Sequence, residues 1–279
     1  MTVTEAATSK YAQAGDIRIH YNDVGDPSRP TVIFLHGAGP GASSWSNFTT
    51  NMESFAREYR VLLVDMPTWG KSDKVEIPAP KLTNFARVIR DFMDAIGLDK
   101  AAFVGNSYGG QVSLKVAIDY PERVRQVVVI GSAPVVRSIF APFPAEGVKL
   151  IGSYYRGEGP SLEKLRAILS VLVYDPSLLT DDVIKERYEA SLDPDAVRVH
   201  SLPAGPRQDL TSELERITAP TFIVWGMDDR AGALDVGLLM TKSIANAQMH
   251  IFNQCGHWAQ VEHSDAFNDH VMTFLRATT

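Results

Sequence analysis

The chain has 279 residues, of which 45% are hydrophobic and 22% charged, enough for one large α/β domain or two small ones and too apolar for a disordered chain. Its net charge of −6 argues against nucleic acid or an anionic membrane as partner, since both need a basic face. The single cysteine, Cys255, excludes an intrachain disulfide and a cysteine metal cage; the polar Met1–Lys10 lacks a signal peptide's apolar core, and no run of about 18 apolar residues occurs, so a cytoplasmic protein is expected.

In chain order, an early pair near Ile17–Tyr21 predicts an antiparallel sheet edge. Short apolar, β-branched runs follow at Thr31–Leu35, Arg60–Val64, Ala101–Val104, Gln126–Ile130 and Thr221–Trp225, with a weaker one at Gln248–Phe252. Such runs read as strands buried on both faces. Between them Leu82–Ile96, Gly110–Tyr120 and Asp265–Leu275 repeat apolar residues at spacings of three and four, the period of a helix. Strand–helix alternation predicts an α/β fold, a mostly parallel central sheet flanked by helices. The alternation stops between 138 and 215, where short helical patterns such as Leu162–Val173 and Asp181–Ser191 are separated by prolines. This stretch reads as a helical cap inserted into a core domain made of 1–137 and 216–279.

Gly105-Asn106-Ser107-Tyr108-Gly109 follows one predicted strand and opens a helix. The chain must turn sharply there, and the glycines let backbone pass without a Cβ clash. Such a turn exposes Ser107 at the C-terminal ends of the strands and aims the Tyr108 N–H at a developing oxyanion. A serine hydroxyl needs a base. In a fold of this kind the chain order is serine, acid, histidine. His257 lies on the loop after Gln248–Phe252, and Asp228 and Asp229 end the preceding strand; Asp229 is the favoured acid and Asp228 the alternative. His36 reads as a structural histidine, Cys255 as a buried spacer. No histidine pair has metal-ligand spacing, so no metal and no cofactor are expected.

Several segments together resemble a known family. They are His36-Gly37-Ala38-Gly39-Pro40-Gly41-Ala42 with Trp45 and Asn47, Gly105-Asn106-Ser107-x-Gly109-Gly110, Trp225-Gly226-x-Asp228-Asp229-Arg230, and Cys255-Gly256-His257-Trp258-Ala259-Gln260-Val261-Glu262-His263. The stretch Phe140-Ala141-Pro142-x-Pro144-x-Glu146-Gly147 and Tyr174-Asp175 with Arg187 add to them. The chain resembles the meta-cleavage product hydrolases, α/β-hydrolase-fold enzymes of bacterial aromatic and steroid ring degradation, closest in the biphenyl- and steroid-pathway branches. The resemblance implies hydrolysis of a carbon–carbon bond in a 2-hydroxy-6-oxohexa-2,4-dienoate, giving 2-hydroxypenta-2,4-dienoate and a carboxylic acid. It implies Ser107, Asp229 and His257 as catalytic triad, and the N–H groups of Ala38 and Tyr108 as oxyanion hole. Arg187, Asn106, Asn47, Trp258 and Gly39 would meet the substrate, and relatives are commonly dimers or larger.

Apart from the resemblance, Arg187 reads as a solvated helix arginine, Asn106 as an elbow hydrogen bonder and Asn47 as a helix cap. The chain departs from the family pattern at Tyr108, where Met or Leu is frequent. It also lacks the usual proline after the acid, and Val197–Asp209, which helps wall the pocket for the non-dienoate substituent, is shorter. An ester or lactone hydrolase on the same triad is the alternative function, and a non-catalytic binding protein a more distant one.

Overall fold

A computed structural model describes residues 3–134, 138–139, 141–142, 144–203 and 205–278. Eight strands form one sheet: β1 Ser9–Ala14, β2 Ile17–Val24, β3 Thr31–Leu35, β4 Arg60–Val64, β5 Ala101–Asn106, β6 Val124–Ile130, β7 Thr221–Gly226 and β8 Ala247–Phe252. Their order is β1-β2-β4-β3-β5-β6-β7-β8. β2 runs antiparallel to both its neighbours, and every other pairing is parallel. The helices are α1 Glu5–Thr8, α2 Ser44–Ala56, α3 Lys81–Ala95, α4 Tyr108–Asp119, α5 Glu146–Ser153, α6 Leu162–Leu172, α7 Asp181–Ser191, α8 Pro194–His200, α9 Leu234–Ser243, α10 Ala259–Glu262 and α11 Ser264–Ala277.

The apolar runs form strands because both sheet faces are covered, and alternate side chains feed two separate cores. Ile33, Leu62, Phe103, Val129 and Ile223 pack toward α3 and α4. Their neighbours Phe34, Leu63, Val104, Val128 and Val224 pack toward α2 and α11. The segment between β6 and β7 contains α5–α8 and, among its described residues, no strand. Its own apolar cluster centres on Tyr154, Leu165, Leu169 and Ile184, and it takes in Ala231 and Trp258 from the sheet domain. Phe140 of the sequence motif and the expected boundary residue Arg137 lie outside the described residues.

The chain reverses its direction of travel across the sheet between β3 and β5, since β3 leads to β4 on one side and β5 to β6 on the other. A crevice opens beyond the C-terminal strand ends at such a point. The loop after β3 and the elbow after β5 flank it, which brings His36–Gly41 beside Ser107.

Asp65, at the end of β4, fixes one side of this region. Its carboxylate accepts from His20 Nδ1 at 2.8 Å and from the backbone N–H groups of Ser44 at 2.8 Å and Lys71 at 2.9 Å. Burial alone would raise its pKa, but the hydrogen bond from His20 and the proximity of His36, with the Lys71 N–H, outweigh it and hold the carboxyl below the ordinary range. A depressed folded pKa stabilises fully above the unfolded value of about 4 and is lost as pH falls through the folded value. Asp65→Asn turns an amide donor toward existing donors, so a loss of about 3 kcal/mol is expected in urea unfolding at pH 7. The deficit should shrink as wild type itself loses stability in acid, and a constant difference between pH 7 and pH 3 would refute the assignment.

Candidate active site

Ser107 occupies the left-handed region at φ 53° and ψ −115°, a strained conformation that costs about 1–3 kcal/mol for a residue with a side chain. Three features hold it there. The Ser107 N–H donates to the Ile130 carbonyl at 2.8 Å, and the Ser107 carbonyl accepts from Ser132 Oγ at 2.8 Å. A Cβ on Gly109 would collide with the Leu35 carbonyl, so the helix can start this close to β3 only with glycine. Tyr108 is the first residue of α4, and its N–H therefore has no intrahelical acceptor.

His257 and Ser107 line one cavity of about 150 Å³. His257 is buried, and its Nδ1 lies 2.8 Å from Asp229 Oδ2. The other Asp229 oxygen accepts from the N–H groups of Ala231 at 2.7 Å and Gly232 at 2.8 Å. Those bonds fix the carboxylate, which fixes the ring and leaves Nε2 as the nitrogen free to exchange a proton. The adjacent Asp228 is exposed.

Arg187 reaches the same cavity from α7 and is 4% exposed. One terminal nitrogen donates to the Pro40 carbonyl at 3.2 Å, and its guanidinium carbon sits 5.2 Å from the Trp258 ring centre. Its Nε is buried with no hydrogen-bond partner among the described residues. Burial pushes its pKa down to about 10, against a weaker pull upward from Tyr155, Glu186 and Tyr154. Two glycines of the loop after β3 make room for it. A Cβ on Gly39 would lie 2.9 Å from the guanidinium, and one on Gly41, at φ 63°, would strike the Arg187 carbonyl.

Asn106 Oδ1 accepts from Asn47 Nδ2 at 3.1 Å, while its own Nδ2 makes long bonds to the carbonyls of Ile130 at 3.2 Å and His257 at 3.3 Å. Both asparagines line the cavity, as do Ala38, Gly39, Tyr108 and Trp258. Asn47 lies inside α2, whose cap is Ser43, so it is not a helix cap. Arg187 is likewise not a solvated helix arginine. The sites expected from the sequence therefore converge on one crevice.

The structure also contains an arrangement that sequence order did not reveal. Ser9 Oγ lies 2.9 Å from His20 Nε2, and His20 Nδ1 lies 2.8 Å from Asp65. The connectivity is that of a catalytic triad, yet none of the three lines the cavity, and the group joins β1, β2 and β4 structurally. His36 behaves as expected of a structural residue: its Nε2 accepts from the Met66 N–H at 3.1 Å, so Nδ1 carries the proton and donates to the Gly37 carbonyl at 2.8 Å. Cys255 is buried, and burial pushes its thiol up, against a nucleophilic role. Sequence reading missed a second cavity of about 290 Å³ beside the first, which shares Tyr108, Gln111, Ile151 and Arg207 with it.

Among the described residues no group of three or more histidine, cysteine or carboxylate side chains could hold a metal, and no helix is long and apolar enough to cross a membrane.

Comparison with known proteins matches residues 30–264 to the alpha/beta hydrolase fold family. A 2-hydroxy-6-oxononadienedioate/2-hydroxy-6-oxononatrienedioate hydrolase of Cupriavidus pinatubonensis is 45% identical over 98% of this chain and 97% of its own length. A meta-cleavage product hydrolase of Pseudomonas fluorescens IP01 superposes with a TM-score of 0.86 at 30% identity, over 97% of this chain and 98% of that one. This chain belongs to the meta-cleavage product hydrolases of the α/β-hydrolase fold. Within this family, the 2-hydroxy-6-oxo-6-phenylhexa-2,4-dienoate hydrolase of a Rhodococcus species also matches at TM-score 0.86 with 29% identity, over 96% of this chain and 98% of that one. The more identical of these relatives thus carries a second carboxylate in its substrate's name. The phenylhexadienoate named for the Rhodococcus enzyme has none on that substituent.

Proposed function

We propose that this meta-cleavage product hydrolase cleaves the C5–C6 bond of 2-hydroxy-6-oxohexa-2,4-dienoates, consuming water and giving 2-hydroxypenta-2,4-dienoate and a carboxylic acid. The observation that carries the reading is Arg187, a buried cation with no carboxylate partner among the described residues, in the same cavity as Ser107 and His257. A lone buried charge is costly. It is retained profitably where an anionic substrate completes it with charge-assisted, bidentate bonds.

With the C1 carboxylate on Arg187 and stacked near Trp258, the 2-hydroxyl falls to Asn106 and Asn47, and the long bonds of Asn106 to the Ile130 and His257 carbonyls are readily exchanged for substrate. Gly39 leaves the space for that end. His257 moves the 2-hydroxyl proton to C5, converting the dienol to its keto form. Ser107 Oγ, directly or through a water it orients, supplies the nucleophile to C6, with His257 as base and Asp229 holding the imidazole. The N–H groups of Ala38 and Tyr108 receive the oxyanion. Collapse breaks C5–C6, and its electron pair enters the dienolate, which takes a proton from His257. Where water attacks, C6 leaves at once as the carboxylic acid; where Ser107 attacks, a water deprotonated by His257 then hydrolyses the Ser107 ester to release that acid and restore the serine. The helical segment 138–215 acts as a cap that closes over the dienoate. The reading carries no cofactor, a homodimer or higher homo-oligomer, a cytoplasmic location, and no nucleic-acid or membrane partner.

The test is loss of the coloured chromophore across alkyl, aryl and carboxyalkyl 2-hydroxy-6-oxodienoates, with simple esters alongside. Turnover of the dienoates well above that of the esters is expected. Ready ester hydrolysis with no dienoate turnover would favour an esterase and reject this reading.

A further inference from the structure

The established parts of the site account for one end of the substrate and leave the other undefined. Arg207 lies at that other end. It belongs to the segment 197–209 that departs from the family pattern, and it lines both the catalytic cavity and the adjoining 290 Å³ cavity. The two arginines occupy separate places. Arg187 lies against Gly39, Pro40 and Trp258. Arg207 borders both cavities together with Tyr108, the residue after Ser107. Ser107, Arg187 and Arg207 line one cavity, so a carbonyl held at Ser107 shares it with two cationic groups.

The Arg207 residue is open to solvent on the surface side. Burial nonetheless lowers its pKa, with Tyr108 pulling it upward, as for a side chain reaching inward from a rim. Tyr108 in turn is driven upward by desolvation, so it stays a neutral hydroxyl able to donate a hydrogen bond. Gln111, one helical turn after Ser107, borders both cavities with an amide. The second cavity adds Lys81 and Arg156 against Glu76, a locally positive lining in a chain of net charge −6. An alkyl or aryl substituent gains nothing from that chemistry, whereas a carboxylate does.

We propose that Arg207 anchors a second carboxylate on the C6 substituent, with Gln111 and the Tyr108 hydroxyl as neighbouring donors, so that this chain acts on dianionic ring-cleavage products. The proposal rests on the C–C hydrolase reading and deepens it. The relatives named for a dienedioate fit the same chemistry.

The experiment compares kcat/KM for two substrates that differ only at the far end. One is 2-hydroxy-6-oxonona-2,4-dienedioate, and the other the matching nona-2,4-dienoate with a terminal methyl. Wild type is expected to favour the dicarboxylate. Arg207→Met should lower the dicarboxylate-to-monocarboxylate ratio about tenfold to a hundredfold, mainly through KM, the range for losing a charged hydrogen bond. Arg207→Lys should restore part of it. A ratio that is the same in wild type and Arg207→Met would overturn the assignment while leaving the hydrolase reading intact. Absence of turnover of both compounds by wild type would overturn the two together.

Discussion

Replacing Ser107 by alanine is expected to lower kcat on a 2-hydroxy-6-oxodienoate by about a thousandfold or more. The elbow should survive the change. Its geometry is set by the Ser107 backbone bonds to Ile130 and Ser132 and by Gly109 against β3, none of which uses the hydroxyl. Alanine also carries the same strain at a positive φ. Arg187, Asn106 and Trp258 remain in place, so the substrate should bind within about threefold of the wild-type dissociation constant, a difference under about 0.7 kcal/mol. Spectral titration and single-turnover mixing measure both quantities. A variant that retained more than a tenth of the wild-type rate would remove Ser107 from the chemistry, whether as attacking atom or as orienter of water.

Arg187→Met is the second large effect, and its sign differs between activity and stability. Removing the cation should lower kcat/KM on dienoates by about a hundredfold, because a buried charge-assisted pair with the C1 carboxylate is lost. Folding should respond the opposite way. Arg187 is 4% exposed, its Nε has no partner among the described residues, and its polar bond among them is the 3.2 Å contact to the Pro40 carbonyl. Exchanging it for an apolar side chain of similar length relieves desolvation, so urea unfolding should show a gain of about 1 kcal/mol or more. An arginine kept for structure would give a loss instead. The pairing of a weaker enzyme with a more stable protein is therefore diagnostic of a substrate-binding charge.

Much of the sheet could be read from sequence because both of its faces are buried. Thr31–Leu35 and Arg60–Val64 are continuous apolar runs, and they form β3 and β4 with those limits. The early antiparallel pair is expected from sequence, but the limits of β1 are not legible because Ser9–Ala14 is an edge strand with few buried side chains. Sequence misplaces the start of α2, with Asn47 reading as its cap where Ser43 serves. Its inward face includes Ser44, Asn47 and Asn51, polar residues that serve as core because Asn51 bonds to Gln260 and Asn268. Ser107, Asp229 and His257 were legible because each follows a strand in a fixed order. The His20–Asp65 pair was not, since it joins residues 45 apart across the sheet and has no motif. Arg207 gave no signal for the same reason that surface arginines rarely do. Its segment reads as a pocket wall, but only the fold shows that the arginine itself lines the cavity.

The most direct measurement is product analysis after turnover of a 2-hydroxy-6-oxodienoate in ¹⁸O-labelled water, with mass spectrometry of both fragments. Cleavage at C5–C6 predicts equal amounts of 2-hydroxypenta-2,4-dienoate and a carboxylic acid, with solvent oxygen only in the acid. Loss of colour with the carbon skeleton intact would contradict it.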